Sequence, residues 1–141
     1  MHSLPMKRKI SDELKQMVAK RAGRRCEYCR LPERDSLIKF HVEHIRSSKH
    51  SGSDDFENLA YSCSDCNLYK GTDLGTYLDE NEIFVRFFNP RKDNWLEHFK
   101  PFEGRIYSLT EIGEATLKIF QMNSIYRIEV RHLFALEGLY P

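Results

Sequence analysis

The chain has 141 residues, of which 40% are hydrophobic and 30% are charged, and its formal net charge is +1. No apolar run is long enough to span a bilayer, and the first residues lack the apolar stretch of a signal peptide, which predicts a cytoplasmic location. Because the net charge is nearly neutral, any affinity for nucleic acid has to come from local basic clusters, at residues 7–9, 20–25 and 91–92.

The first predicted elements are a helix and a strand. Ser11 is a typical N-cap, acidic residues follow it in the first turn, and apolar residues recur at helical spacing until Gly23. Residues 37–45 alternate between apolar and polar side chains, which predicts a β-strand. The polar residues 46–57 that follow predict a surface loop.

A short returning strand is predicted at residues 59–61, and a helix capped by Ser64 or Asp65 follows it. The order β, β, α therefore surrounds one small region. The elements predicted after this region are strands at residues 83–88 and 105–109 and one or two helices at residues 111–138, broken near Asn123 and Ser124. No repeat or linker divides the chain, so we expect a single domain at residues 1–141, with residues 72–141 as a C-terminal extension that supplies core and platform.

All four cysteines lie in two Cys-x-x-Cys pairs, Cys26 with Cys29 and Cys63 with Cys66. Four thiolates in two such knuckles form the closed tetrahedral set that structural zinc prefers, at about 2.3 Å per bond. Two disulfides or a thioredoxin-like redox pair are the alternatives. The pattern favours structural Zn²⁺, because no secretory segment precedes the cysteines and a redox site needs one reactive pair.

The residues between and beside the knuckles carry groups suited to phosphate chemistry. Glu43 and Asn67 offer oxygen ligands, and a site of few protein oxygens suits Mg²⁺ or Mn²⁺. His44 can accept a proton from an attacking water, and Asn58 can hydrogen-bond its imidazole and orient it. Lys70, one helical turn after Asn67, can meet phosphate charge. Because neighbours in a regular strand point to opposite faces, the strand must end, twist or bulge at Glu43 and His44.

Each of these residues also has a common alternative role. A Glu-His pair at a strand end is usually solvated, a loop Asn is usually a turn residue, and a Lys near a helix start is usually a surface cation. We interpret His41 and His50 as surface histidines. The joint placement of the other groups around the two knuckles favours a functional site.

The order of these motifs resembles the HNH endonuclease family, whose core is the ββα-metal finger. The resemblance covers residues 26–71 and rests on Glu43-His44-Ile45, Ser51-Gly52, Asn58-Leu59-Ala60 and Cys63-x-x-Cys66-Asn67-x-x-Lys70. It implies that Glu43 and Asn67 are ligands of the catalytic metal, that His44 is the general base and that Asn58 orients it.

The chain departs from the family pattern at three places. Asn67 stands where the family name would put a second histidine, Glu43 stands where Asp is common, and Ser51-Gly52 replaces the usual pair of glycines. The first two replacements keep an oxygen donor, so we expect them to affect metal preference more than mechanism.

These observations predict an α+β fold with a zinc-stabilised ββα-metal core, an N-terminal helix and a mixed β/α C-terminal extension. The predicted function is hydrolysis of phosphodiester bonds in DNA, double-stranded DNA above all, with structural Zn²⁺ and one catalytic Mg²⁺ or Mn²⁺. Two alternatives stay open: a non-catalytic zinc-containing module that binds nucleic acid, and a toxin-type nuclease that acts on RNA.

Overall fold

The computed structural model describes residues 10–34 and 39–141, and the predictions at residues 7–9 and 37–38 lie outside these ranges. Five helices and six strands form within the described ranges. In chain order they are α1 (Asp12–Arg21), β1 (Phe40–His44), β2 (Leu59–Cys63), α2 (Ser64–Lys70), β3 (Gly75–Tyr77), β4 (Phe84–Arg86), α3 (Trp95–His98), β5 (Phe99–Phe102), β6 (Arg105–Ser108), α4 (Glu111–Ile119) and α5 (Ile125–Leu136). The predicted α+β class, with its small cysteine-centred core, is confirmed.

Helix α1 begins and ends close to the predicted positions. The Ser11 side chain accepts a hydrogen bond from the backbone N–H of Leu14 at 3.2 Å, which satisfies one of the free donors of the first turn. The helix buries Val18 and Ala19 against the strand β2 residues Leu59 and Tyr61. It therefore holds the β1–β2 hairpin from one side.

Strands β1 and β2 form an antiparallel hairpin that leads directly into α2. The pairing runs from Phe40 opposite Cys63 to His44 opposite Leu59, so His44 is the last residue of its strand. The cap of α2 differs from the prediction, because Cys63 is the N-cap residue and its Sγ accepts a hydrogen bond from the Cys66 N–H at 3.5 Å. The Cys63 sulfur that caps α2 also faces Cys29 of the first knuckle.

The C-terminal extension contains two further hairpins and two helices. Strands β4 and β6 fall within the predicted segments, whereas their partners β3 and β5 were not predicted. The predicted break near Asn123 and Ser124 is confirmed, since α4 ends at Ile119 and Ser124 is the N-cap position of α5. Gly113 lets α4 approach the chain closely, because a Cβ at this position would lie 2.3 Å from the His98 carbonyl oxygen.

The extension packs on the first cysteine knuckle. Indole Nε1 of Trp95 donates to the Tyr28 carbonyl at 2.8 Å, and the Tyr140 hydroxyl donates to the Cys29 carbonyl at 2.8 Å. The ring of Phe120 lies 5.1 Å from that of Tyr28. The extension thus shares one apolar core with the knuckles. Among the described residues, no helix combines the length and apolar character needed to cross a bilayer.

Candidate metal centre and catalytic site

The four cysteine sulfurs converge at one buried point. The Sγ atoms of Cys26, Cys29, Cys63 and Cys66 all lie within 4.8 Å of one another. Bonds of about 2.3 Å in a tetrahedron require sulfur–sulfur distances of about 3.8 Å, and the Sγ atoms of Cys29 and Cys63 are 3.8 Å apart. The Cys29 and Cys66 backbone N–H groups each donate to the first sulfur of their own knuckle at 3.5 Å. This donor set fits a closed structural zinc site.

The imidazole of His44 is held by a carboxylate that the sequence analysis did not single out. His44 Nε2 lies 2.6 Å from Oδ1 of Asp54, and the two side chains are 30% and 41% exposed. A carboxylate is an acceptor only, so Nε2 carries a proton, and in the neutral ring Nδ1 keeps its lone pair. The hydrogen bond to Asp54 therefore fixes the orientation of the ring. A carboxylate ten residues from its histidine in a polar loop gives no periodic signal in the sequence.

Asn58 has a different set of partners from the one predicted. Its Nδ2 donates to the carbonyls of Arg46 (2.8 Å) and Ser53 (2.6 Å), and its Oδ1 accepts from the Arg46 N–H at 3.0 Å. The amide thus joins the two ends of the loop, while the ring of His44 is met by Asp54. Asn58 can orient His44 only through the shape of this loop.

The close approach of the loop ends also requires Gly52. A Cβ at this position would lie 1.6 Å from the carbonyl oxygen of Arg46, and the Gly52 N–H donates to the Ser47 carbonyl at 2.9 Å. Ser51, the preceding residue, has a left-handed backbone with a φ of 65°. The loop that presents Asp54 is consequently closed by backbone contacts at several points.

Glu43 lies against α2, on the opposite side of β1 from His44, as strand alternation requires. Its carboxylate is 8% exposed, and its Oε1 is 4.0 Å from the Lys70 ammonium. Burial raises the pKa of Glu43 to about 7, and the charge of Lys70 and the hydroxyl of Tyr28 oppose this rise only in part. Among the described residues, Glu43 Oε1 and the Tyr28 hydroxyl have no hydrogen-bond partner of normal geometry.

Lys70, predicted to meet phosphate charge, lies buried beneath the end of β1. Its side chain is 3% exposed, and its Nζ donates to the His44 carbonyl at 3.1 Å. The ammonium therefore ties α2 to the end of β1 and supplies positive charge beside Glu43. Asn67 is half-buried three residues earlier, on the same side of the helix as Lys70. The buried Glu43 oxygen, which takes no hydrogen bond from the described residues, and the Asn67 side chain on α2 are oxygen donors of the kind that a divalent cation takes.

Most arginines of the predicted basic clusters are used inside the protein. Arg21 donates to the carbonyls of Phe56 and of Leu59, the first residue of β2, and Arg25 donates to the carbonyls of residues 30 and 139. Arg91 forms an ion pair with Glu27, in which both side chains are nearly buried. Of the described basic residues in these clusters, Lys20, Arg24 and Lys92 remain exposed.

Comparison with known families places this site in its context. A family model described as HNH endonuclease matches residues 26–73, about a third of the chain. The matched segment contains the four cysteines, the β1–β2 hairpin, the loop with Asp54 and helix α2. The comparisons with curated proteins and with solved structures give no match.

Proposed function

We propose, from the match of residues 26–73 to the HNH endonuclease family model and the four clustered cysteines within them, that the protein hydrolyses phosphodiester bonds in double-stranded DNA with the help of a divalent cation. One observation carries the proposal. Within the matched segment, His44 is partly exposed and held at 2.6 Å by Asp54, and the adjacent Glu43 has a buried oxygen that accepts no hydrogen bond from the described part of the chain. The proposal includes DNA as the substrate, Mg²⁺ or Mn²⁺ as the catalytic ion and a cytoplasmic location.

In the proposed reaction, His44 Nδ1 removes a proton from the water that attacks the phosphorus atom. Because Nε2 donates to Asp54, the ring cannot turn its protonated nitrogen towards the water. The carboxylate also stabilises the positive charge that the ring takes up. Asn58 and Gly52 keep the loop closed, so that Asp54 stays in place.

The residues that would hold the catalytic cation are Glu43 and Asn67. The bound ion would neutralise charge that develops on the phosphate and on the leaving oxygen. Glu43 presents its oxygen from β1 and Asn67 presents its side chain from α2, and Lys70 fixes the spacing of these elements through the His44 carbonyl. The proposed cation and the scissile phosphate would lie near the end of β1, from which Glu43 and His44 project on opposite sides.

Two exposed cations follow His44 in the loop and can contact the phosphates that flank the scissile bond. Arg46 and Lys49 are exposed, and the guanidinium of Arg46 donates to the Ser51 carbonyl at 3.3 Å. A salt-dependent affinity is expected from such contacts. They do not distinguish DNA from RNA, so the test includes both substrates.

The test is an incubation of zinc-loaded protein with supercoiled plasmid and, separately, with a folded RNA, each with Mg²⁺, with Mn²⁺ or with neither. Plasmid cleavage that needs the divalent ion is expected. His44→Ala should lower the rate by about two to four orders of magnitude, the usual contribution of a positioned general base. His50→Ala, an exposed histidine of the same loop, is the matched control and should cleave normally.

Three results would point to other functions. Cleavage of RNA alone would identify a ribonuclease. Binding without cleavage under every metal condition would identify a nucleic-acid-binding module. Unchanged cleavage by His44→Ala would show that the base is another group.

A further inference from the structure

The zinc site has a positively charged neighbour that lies far outside the HNH segment. Arg127, on helix α5, is 6% exposed, and its Nη2 lies 3.0 Å from Sγ of Cys66 and 3.7 Å from Sγ of Cys63. Its Nη1 donates to the Phe120 carbonyl at 2.6 Å, and its Nε lies 3.8 Å from Oδ2 of Asp65. The guanidinium is thus held on several sides, with one edge against the thiolates.

The charge of the metal site explains why a cation is useful at this position. Four thiolates around one Zn²⁺ leave roughly two negative charges uncompensated, and all four cysteines are buried. A buried net charge is costly unless it is paired or hydrogen-bonded. An N–H group that donates to a thiolate spreads part of its charge, and the positive guanidinium offsets part of the remainder.

We propose that Arg127 is a positioning residue of the zinc site, which retains the metal by donating a charged hydrogen bond to Cys66. The C-terminal extension is then a part of the metal centre and not an appendage to it. The hydrogen bonds from Trp95 to the Tyr28 carbonyl and from Tyr140 to the Cys29 carbonyl act on the first knuckle from the same extension. The extension therefore contacts both knuckles, one through backbone carbonyls and the other through sulfur.

The chain offers a matched control four residues further along α5. Arg131 is also buried, at 1% exposed, but its guanidinium donates to the carbonyl oxygens of Gly104 and Met122. Replacing either arginine by Met removes a buried charge and carbonyl contacts from the same helix. Only the Arg127 substitution removes a donor to a zinc-binding thiolate.

The experiment measures the rate at which the full-length, zinc-loaded protein releases its zinc to a chelating dye under native conditions. Arg127→Met is expected to release zinc about 10–100-fold faster than wild type, the usual cost of losing an outer partner of a metal ligand. Arg127→Lys, which keeps the charge, is expected to fall between Arg127→Met and wild type. Arg131→Met is expected to unfold more easily and to release zinc from the folded state close to the wild-type rate.

A second measurement on the wild type does not depend on the folding of any variant. When NMR-active cadmium replaces zinc, a through-hydrogen-bond coupling between the metal and the Arg127 guanidinium protons is expected. Detection of this coupling supports the proposal even if the variants of residue 127 do not fold. Equal release rates for Arg127→Met and Arg131→Met, or the absence of the coupling in folded, cadmium-loaded protein, would overturn it.

Discussion

Replacing Asp54 by Ala tests whether the His44 ring needs its carboxylate. The substitution removes the acceptor 2.6 Å from Nε2 and leaves the imidazole free to rotate or to change tautomer. A hydrogen bond to a charged group contributes about 1.5–3 kcal/mol, and the partial exposure of both side chains places this one at the lower end. Since 1.4 kcal/mol corresponds to about tenfold, we expect kcat to fall by about 10- to 30-fold.

The assay is plasmid nicking at saturating DNA, so that the change is measured in kcat. Asp54→Asn keeps an acceptor for Nε2–H but loses the charge, and it should lose less activity than Asp54→Ala. Asp55→Ala is the matched control, because Asp55 is exposed and its side chain does not cap the following turn. If Asp54→Ala cleaved at the wild-type rate while His44→Ala was inactive, the ring would not depend on this hydrogen bond.

Three further predictions concern the buried groups of the site. Glu43→Gln should abolish cleavage. It should also stabilise the zinc-loaded, Mg²⁺-free protein near pH 8 by up to about 3 kcal/mol. The reason is that the pKa of the buried carboxyl is raised to about 7, so its ionisation lowers the free energy of unfolding as the pH rises through that value. Denaturant unfolding should show little gain near pH 5, where this group is protonated, and an equal gain at both pH values would contradict the pKa. Lys70→Met should destabilise the fold by about 3 kcal/mol, because the ammonium is buried and hydrogen-bonded. DNA affinity should stay near normal, since the buried ammonium does not reach the DNA. The affinity is measured by fluorescence anisotropy in a catalytically inactive His44→Ala background. Cys63→Ser should lose both zinc, measured by elemental analysis, and the folded β1–β2 hairpin, because structural zinc contributes folding free energy directly.

The sequence was informative wherever a residue type is tied to one local geometry. Ser11 before an acidic turn predicted the start of α1, and the spacing of the cysteine pairs predicted the zinc ligands that the structure brings together. The sequence also predicted that Glu43 and His44, as neighbours in a strand, point to opposite faces. In the structure β1 ends at His44, and the two side chains stay on opposite sides of the strand: the imidazole meets the loop and Glu43 meets α2.

The sequence was less informative where a partner comes from a distant element or from backbone. Strand β5 contains Pro101 between the exposed residues Lys100 and Phe102, which gives no alternating strand pattern, and it forms because β6 pairs with it in a tight hairpin. Lys70 follows Asn67 at the spacing of a surface helix, yet tertiary packing places its ammonium under β1. The periodicity of the local sequence predicts neither the pairing of β5 nor the burial of Lys70, since both depend on the elements that pack against them.

Asp54 and Asn58 show why roles within one loop are hard to assign from residue type alone. Either side chain can hydrogen-bond an imidazole, and the family resemblance implied that Asn58 does so. The conformation of the loop determines which side chain contacts His44. The ends of the loop approach so closely that the Asn58 amide hydrogen-bonds three backbone groups. The carboxylate that remains near the ring is Asp54. The orientation of His44 therefore depends on the loop closure at Asn58 and Gly52. Disturbing Gly52 should therefore impair catalysis by the same route as removing Asp54, without altering any group that contacts the phosphate.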